Sequence, residues 1–325
     1  MKQKLFGIAS IVLVFAIAVL SCKTDVGNDN IDLIKIGIDG LTMDNYPRVD
    51  GSTSTDPLNC IIAANLLGLE YEWINGGDVS NVTFKNYLEL ASSLTGKIQC
   101  SQTHNAIIGL IDNNSDLIIV ARKMSTDEKQ YADNAGVSLI EKPIALDALD
   151  FILNSQNSVD SLGVEQVRNM YLGNITNWGE VGGVNEEIIP FIRNANSGSQ
   201  EMMNEIVMSS AGMPDWEVSY ADELMLWSMF RVYSELKANI YGICFTPHYY
   251  KEYMVDTLDD IKTLAIDGIM PDSNSIKNKT YPFVADVYVS IRSDLNHNSM
   301  AYKLYEWLQT EAGKCVISES GYVPN

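Results

Sequence analysis

Residues 117–135 read LIIVARKMSTDEKQYADNA, and this stretch decides the class of fold. The four apolar residues from Leu117 to Val120 predict a short buried strand, and the pattern from Asp127 to Ala135 predicts a helix. Ser125 and Glu128 stand three residues apart at this junction, which is the spacing of a capping box at a helix start. A strand that leads directly into a helix is the repeating unit of α/β proteins, so we expect this class.

Strand and helix patterns alternate in the same way over most of the chain. The other expected elements are strands at Ile34–Ile38 and Leu149–Leu153, a helix at Leu58–Leu67, further elements at Val164–Tyr171, Glu187–Ile192, Glu201–Met208 and Ile240–Phe245, a late strand at Tyr281–Ile291 and an amphipathic helix at Ala301–Thr310. At 325 residues, the chain is longer than one compact core usually holds. We therefore expect two α/β lobes, each with a mostly parallel sheet flanked by helices.

The composition is that of a globular protein, but the charge is strongly acidic. Hydrophobic residues make up 46% of the chain and charged residues 20%, which argues against a disordered or fibrous protein. Lys and Arg number 22 against 42 Asp and Glu, so the net charge is −20. Sequence-independent binding to DNA or RNA depends on clustered cations, so no nucleic-acid partner is expected.

The first 32 residues are expected to be a targeting segment and a tether. Lys2 and Lys4 give a positive start, and an apolar run follows from Leu5 to Leu20. The run holds about 16 residues, fewer than the ~20 that a membrane-spanning helix needs, so a transmembrane anchor is disfavoured. The run ends in Val19-Leu20-Ser21-Cys22, which resembles the lipobox of bacterial lipoproteins, in which the cysteine is lipidated. We predict a lipoprotein signal peptide at 1–21, a lipidated Cys22, a tether at 22–32, and a location in the cell envelope, anchored to the periplasmic or cell-surface face of a bacterial membrane.

The remaining cysteines and the histidines point to no metal site. An exported protein can form disulfides, but scattered spacing and apolar contexts leave buried thiols equally open for Cys60, Cys100, Cys244 and Cys315. No CxxC or HExxH motif occurs, and the three histidines are isolated: His104, His248 and His297. We predict no metal and no cofactor.

A loop rich in hydroxyl residues precedes the first expected helix. Residues 51–58 read GSTSTDPL, and Pro57 suits the first turn of a helix, where a missing N–H costs nothing. Such a loop presents free backbone amides, hydroxyls and the positive end of a helix dipole to one point, which suits a small anion. Ser52, Thr53 and Ser54 are the candidate ligands, and a purely structural helix cap is the alternative interpretation.

Two later helix starts repeat this arrangement and add arginines. Residues 193–201 read RNANSGSQE and begin with Arg193, whose guanidinium can bind an oxyanion through two N–H groups. Residues 121–128 read ARKMSTDE and bring Arg122, for which an exposed surface position is the alternative. Hydroxyl loops in two separate lobes favour a shared cleft, the usual place for a ligand in open α/β sheets.

No catalytic motif accompanies these loops. The chain has no GxxxxGK[ST] phosphate loop and no GxSxG nucleophile elbow. Ser234 and Lys237 match SxxK alone, without the KTG of penicillin-recognising enzymes. No general base stands beside a nucleophile, so the sequence predicts a binding protein and not an enzyme.

Three stretches together resemble the phosphate-binding protein of bacterial phosphate ABC importers and its wider family of substrate-binding lipoproteins. They are YPRVDGSTST at 46–55, GNITNWGEVGG at 173–183 and RNANSGS at 193–199, and the resemblance covers most of residues 33–325 in order. It implies a type II periplasmic-binding-protein fold with two lobes and a ligand cleft between them. With that fold, lobe I is expected to comprise 33–147 and 290–325, and lobe II to comprise 148–289.

The resemblance also implies which residues bind the anion. Thr53 and the amide of Ser54 match the family's first anion loop, and Thr103 falls near the position of a serine loop. A second group matches the family's Arg-x-x-x-Ser-Gly-Thr, with serine in the last place: Arg193, Ser197, Gly198 and Ser199.

The clearest departure from the family follows the strand at Leu117–Val120. Phosphate binders carry an aspartate there, which accepts the proton of HPO₄²⁻ and repels sulfate, whereas this chain has Ala121 and Arg122. If Arg122 points into the cleft, it favours a larger or more negative anion. Sulfate and organophosphates therefore stay open beside phosphate.

The resemblance implies that a monomeric, lipid-anchored protein captures phosphate or a close oxyanion and passes it to an ABC transporter permease. A cell-surface adhesion or signalling protein that kept the fold is one alternative, and it predicts no tight anion binding. A secreted hydrolase of phosphate esters is another, and it predicts turnover and a metal requirement.

Overall fold

The computed structural model describes residues 37–86, 93–208, 214 and 224–325. The expected signal peptide, the lipidated Cys22, the tether and most of the expected strand at Ile34–Ile38 lie outside the described residues. Within the described part of the chain, we find no helix whose length and apolar character would let it cross a membrane.

Short strands and helices alternate along the described residues. The strands are β1 Val49–Gly51, β2 Tyr71–Asn75, β3 Ser80–Phe84, β4 Leu117–Val120, β5 Leu139–Asn154, β6 Ser161–Leu162, β7 Ile189–Pro190, β8 Ile192–Arg193, β9 Met225–Leu226, β10 Gly242–Pro247, β11 Ile261–Thr263, β12 Ala265–Ile266, β13 Val284–Arg292 and β14 Val323–Pro324. The α-helices are α1 Asp56–Leu67, α2 Thr103–Ile111, α3 Thr126–Ala135, α4 Val164–Tyr171, α5 Gly198–Met202, α6 Arg231–Ala238, α7 Ser273–Lys277, α8 Met300–Trp307 and α9 Glu311–Glu319. Short 3₁₀ turns lie at Thr53–Thr55 and Trp178–Val181, and π-helical turns lie at Met203–Met208 and Tyr250–Met254.

The main sheet runs in the order β1-β4-β13-β5-β10-β7, and β11 and β14 also pair with β5. The α/β class is confirmed, but the sheet is mixed instead of mostly parallel. Strands β1 and β4, and likewise β10 and β7, are parallel, whereas β13 is antiparallel to both β4 and β5. The physical reason is that β5 and β13 carry the chain in opposite directions between the two ends of the sheet.

Strand β5 joins the two halves of this sheet. Its residues 139–148 pair with β13, and its residues 149–153 pair with β10. The second half is buried throughout, and Phe151 packs there against Tyr171, Phe245 and Phe283. The first hydrophobic cluster, around α1 and β4, and the second, around Phe151, therefore lie against one continuous strand.

The expected strand Leu117–Val120 and the expected helices around 58–67 and 127–135 are confirmed within one or two residues, and the element expected at Val164–Tyr171 is a helix with those bounds. The first half of β5 was not predicted, because Glu141, Lys142 and Pro143 obscure its strand pattern. Pro143 is tolerated there because the β13 pairing shifts register next to it, which is where a strand accepts proline. Cys244 is a fully buried thiol, and burial raises its pKa to about 12.

Candidate anion-binding site

The hydroxyl loops that the sequence singles out meet at one cavity of about 360 Å³. Eight of the nine candidate ligand residues line it: Ser52, Thr53, Ser54, Thr103, Arg193, Ser197, Gly198 and Ser199. The ninth, Arg122, lies behind the wall. Residues that are far apart in the chain thus come together as the expected shared cleft requires.

The first wall of the cavity is the turn from β1 into α1. Gly51 passes so close to β4 that a Cβ would lie 2.5 Å from the carbonyl oxygen of Ile119, so only glycine fits. The 3₁₀ turn at Thr53–Thr55 runs directly into α1, and the first amides of a helix have no intrahelical acceptor. The amides of Thr53 and Ser54 are therefore available donors at the positive end of α1.

Ser52 connects this turn to the start of α2. Its hydroxyl lies 2.8 Å from the Thr103 hydroxyl and accepts a hydrogen bond from the Ala121 amide at 3.0 Å. Gln102, just before α2, has φ 73° and ψ 162°, a conformation that costs a non-glycine residue roughly 1–3 kcal/mol. Asp50 holds the adjacent backbone, because its carboxylate accepts from both the amide and the hydroxyl of Ser101 at 2.8 and 2.6 Å. The strained residue lies on the cavity wall, where a fixed geometry serves binding.

The second wall is the loop from β8 into α5. Ser197 caps this helix by accepting from the Gln200 amide at 3.2 Å. A Cβ at Gly198 would lie 2.6 Å from the Thr103 hydroxyl oxygen, so glycine lets the two walls touch. The hydroxyls of both walls therefore face one small volume.

Arg193 supplies the cationic group of the cavity, although it is only 5% exposed. Its Nε donates to the carbonyl oxygen of Leu226 at 2.7 Å, and its Nη1 donates to the Ser199 hydroxyl at 3.2 Å. Among the described residues, no carboxylate forms an ion pair with it, and burial lowers its pKa. Burying an unpaired charge is costly, so this guanidinium is best satisfied by an anion in the cavity.

The described residues that line the cavity include no acidic side chain, although about one residue in eight of the chain is Asp or Glu. On these residues, an anion placed beside Arg193 meets hydroxyls, amides and one guanidinium charge.

Arg122 does not take the position that the sequence suggested. Its guanidinium is 2% exposed and donates to both carboxylate oxygens of Glu128, at 2.6 and 2.9 Å. Burial raises the pKa of Glu128, whereas the hydrogen bonds and the charge of Arg122 lower it. The lowering effects together are larger, so the pKa of Glu128 lies below its ordinary value. The arginine is neutralised where it stands, because the glutamate of the capping box folds back beneath it.

The Arg122–Glu128 pair instead joins the loop at residues 121–128 to the second wall of the cavity. Nη2 of Arg122 donates to the carbonyl oxygen of Asn196 at 2.8 Å, and the Ser125 hydroxyl donates to the Asn196 side chain at 3.1 Å. His104 lines the cavity, and its Nδ1 lies 2.8 Å from Glu128. These contacts position Asn196 and the loop that carries Ser197 to Ser199.

Sequence reasoning missed the apolar part of the cavity. Its described residues include Trp227, Met229, Phe230, Pro247 and Tyr250. They carry no hydroxyl-rich cap and no recognised motif, and the signal for three of them was an apolar, aromatic segment after the short strand β9. Strand β9 pairs with β8, and this pairing brings the segment next to Arg193.

Three described side chains could in principle hold a metal ion away from this cavity. Ligand atoms of Asp150, His248 and Glu252 all lie within 4.8 Å of one another. The Lys251 ammonium, however, already contacts Asp150 at 2.9 Å and Glu252 at 2.7 Å. The positive charge of Lys251 thus already balances these two carboxylates, as a bound metal ion would.

Comparisons with known proteins agree with the geometry. A family model described as a PBP superfamily domain matches residues 86–312. The phosphate-binding protein PstS of Bacillus subtilis is 20% identical over 199 residues, which are 61% of this chain and 61% of that protein, so the match spans less than two thirds of it. The SphX protein of Synechococcus elongatus is 21% identical over 256 residues, 76% of this chain and 74% of that protein.

Solved structures show the fold. A Clostridium perfringens protein, assigned as a phosphate ABC transporter substrate-binding protein and solved with bound phosphate, superposes with a TM-score of 0.60 at 21% identity. The comparison covers 85% of this chain and 98% of that one. The resemblance drawn from the three motifs and the periplasmic-binding-protein fold that it implied are confirmed.

Proposed function

Because the chain belongs to the PBP superfamily, we propose that it is a substrate-binding protein that captures phosphate, or a close oxyanion, for an ABC importer. The observation that carries the proposal is a buried arginine in a cavity whose described residues supply hydroxyls and no carboxylate. The names of the relatives, and the phosphate bound in the Clostridium perfringens structure, support the same ligand.

The residues of the cavity would bind an oxyanion in complementary ways. Arg193 supplies charge-assisted hydrogen bonds, which are roughly twice as strong as neutral ones. Thr53, Ser54, Thr103 and the loop at 197–199 supply hydroxyl and amide donors. The net charge of −20 does not oppose binding, because exposed charges are screened beyond about 10 Å at 0.1 M salt. Catalysis is not proposed, since among the described residues no hydrogen bond joins one of these hydroxyls to a histidine or a carboxylate.

The finer assignments are also proposals. The protein is anchored through Cys22, works as a monomer at the cell envelope, and delivers its ligand to a permease. Lobe I comprises 33–147 and 290–325, and lobe II comprises 148–289. The change of partner strand along β5, between Ala148 and Leu149, supports the first boundary.

Calorimetric titration tests the proposal. The soluble chain that starts after Cys22 is unfolded and refolded to remove carried-over anion, and is then titrated with phosphate and with sulfate at fixed ionic strength. Micromolar or tighter binding of either anion, with one site per chain, is expected. A folded protein that binds neither anion would overturn the proposal and favour a surface adhesion or signalling role.

A further inference from the structure

The cavity is larger than phosphate alone requires. Its volume of about 360 Å³ lies within the range of roughly 300–1,000 Å³ that is typical of sites for organic ligands. Water occupies about 30 Å³ per molecule in the liquid, and orthophosphate has only five non-hydrogen atoms. A bound phosphate at Arg193 would therefore leave more than half of the cavity to water.

The remaining volume has an aromatic wall. Trp227 is 72% exposed, which is unusual for tryptophan, and it lines the cavity together with Phe230 and Tyr250. Trp227 directly follows Leu226, whose carbonyl oxygen holds Nε of Arg193 at 2.7 Å. The aromatic wall and the cationic end of the cavity are thus fixed to each other by one strand pairing.

Side-chain amides complete the wall. Gln102, Asn105, Asn194 and Asn196 line the cavity, and each amide offers both a donor and an acceptor. These amides are therefore suited to a ligand that carries hydroxyl groups.

The donors and acceptors of the described wall bear on the protonation state of the ligand. Orthophosphate as HPO₄²⁻ keeps one O–H group, for which the Ser and Thr hydroxyls and the side-chain amides of the wall are the acceptors. The phosphate of a monoester has its second pKa at about 6, so at pH 7 it is mostly a dianion without an O–H group. The guanidinium, amide and hydroxyl donors around Arg193 match that dianion, which leaves those acceptors to the hydroxyls of the organic part.

We propose that the cavity takes a phosphate monoester of a small hydroxylated molecule, in the class of sugar or polyol phosphates. The phosphate lies at Arg193, and the organic part lies against Trp227 and Phe230 with its hydroxyls among the side-chain amides of the wall. This assignment rests on the proposed function, because it names the ligand class of the same site.

Titration with a matched set of ligands tests the assignment. The stripped soluble chain is titrated with orthophosphate, glycerol 3-phosphate, glucose 6-phosphate and unphosphorylated glucose. We expect at least one monoester to bind ten-fold or more tightly than orthophosphate, and glucose not to bind. A smaller preference overturns the monoester assignment but leaves the proposed function standing. If no phosphate compound binds, the monoester assignment fails, and if sulfate does not bind either, the proposed function fails with it.

An aromatic variant locates the organic part of the ligand. Trp227→Ala should lower the ratio of monoester to orthophosphate affinity by roughly five-fold or more, the lower end of what a stacking aromatic contributes to ligand binding. Trp73→Ala is the matched control, because Trp73 is 40% exposed on β2 and does not line the cavity. If both variants keep the wild-type ratio, the aromatic wall does not contact the ligand and the assignment fails.

Discussion

Two buried arginines stand at the ends of two strands of the molecule, and only one of them is available to an anion. Arg122 follows β4 and Arg193 ends β8, and they are 2% and 5% exposed. Arg122 donates to both oxygens of Glu128, whereas Arg193 has no carboxylate partner among the described residues. A buried arginine therefore indicates an anion site only where its charge is not already neutralised.

One residue type separates the two loops. Both helix starts have the capping pattern Ser-x-x-Glu/Gln, with Glu128 in the first and Gln200 in the second. Glu128 accepts from the Ser125 amide at 2.7 Å, and the same carboxylate binds Arg122. Gln200 accepts from the Arg193 amide at 2.9 Å and is neutral. The third helical residue thus differs in its arginine contact: Glu128 binds the guanidinium of Arg122, whereas Gln200 binds only the backbone amide of Arg193.

The largest expected effect is on stability, from Glu128→Gln. This change leaves the Arg122 guanidinium buried without a counter-ion, which should lower the free energy of unfolding by about 3–5 kcal/mol. Urea denaturation at pH 7 measures it. Glu165→Gln is the control, since Glu165 forms an exposed pair with Arg168 that is worth at most about 1 kcal/mol. If both variants lose the same free energy of unfolding, the ion pair of Arg122 is not structurally important, and Arg122 no longer contrasts with Arg193.

Arg193→Met should act on binding instead of stability. Loss of a buried charge that pairs with the ligand is expected to weaken phosphate binding by about 2–5 kcal/mol, while the free energy of unfolding without ligand stays the same or rises. Calorimetry and denaturation together separate the two effects. Arg292→Met removes the same charge at the far end of α2, where Arg292 contacts Ile111, and should leave the affinity unchanged.

Gln200→Glu gives the loop before α5 the same capping residue that Glu128 provides in the loop before α3. A carboxylate beside Arg193 would neutralise the guanidinium and repel an anion, so phosphate affinity should fall by about 10- to 100-fold, or roughly 1.4–2.8 kcal/mol. Gln130→Glu adds the same charge at an exposed position on α3 and serves as the control. Unchanged affinity in Gln200→Glu would mean that the capping residue does not set the charge of the cavity.

The smallest expected effect is the loss of stability at acid pH when Glu128 becomes protonated. The pKa of Glu128 is lowered in the folded protein, so its ionised form contributes stability that is fully present above about pH 4.5 and is lost as the pH falls through the folded value. Denaturation between pH 7 and pH 3 should therefore show a steeper acid-side loss for the wild type than for Glu128→Gln. Parallel curves would show that the Arg122–Glu128 pair contributes little to acid stability.

Several parts of the fold were predictable because they depend on neighbours in the chain. The strand at Leu117–Val120 and the capping box from Ser125 to Glu128 were both read from local patterns. The missed α2 shows the opposite case. It begins after Gln102, which has positive φ and gives no side-chain cap, so no local signal marks its start.

The residues of the candidate site were likewise predicted only in part. Eight of its residues were predicted from hydroxyl loops and from family resemblance, and the structure brings all eight to one cavity. Arg122 was misplaced because a capping glutamate gives no sign in sequence that it also binds an arginine. The aromatic wall was missed because Trp227 reaches the cavity through a pairing of β9 with β8.

The sequence by itself determined the α/β class, the hydroxyl loops and the helix starts that carry a capping pattern, because these follow from interactions between residues three or four positions apart. The tertiary structure decided which arginine lines the cavity and which residues line it beside that arginine. Nη2 of Arg122 contacts Asn196 across 74 positions, and Nε of Arg193 contacts Leu226 across 33. The availability of a charge depends on every group that folding brings within hydrogen-bond distance of it, and those groups are distant in the chain.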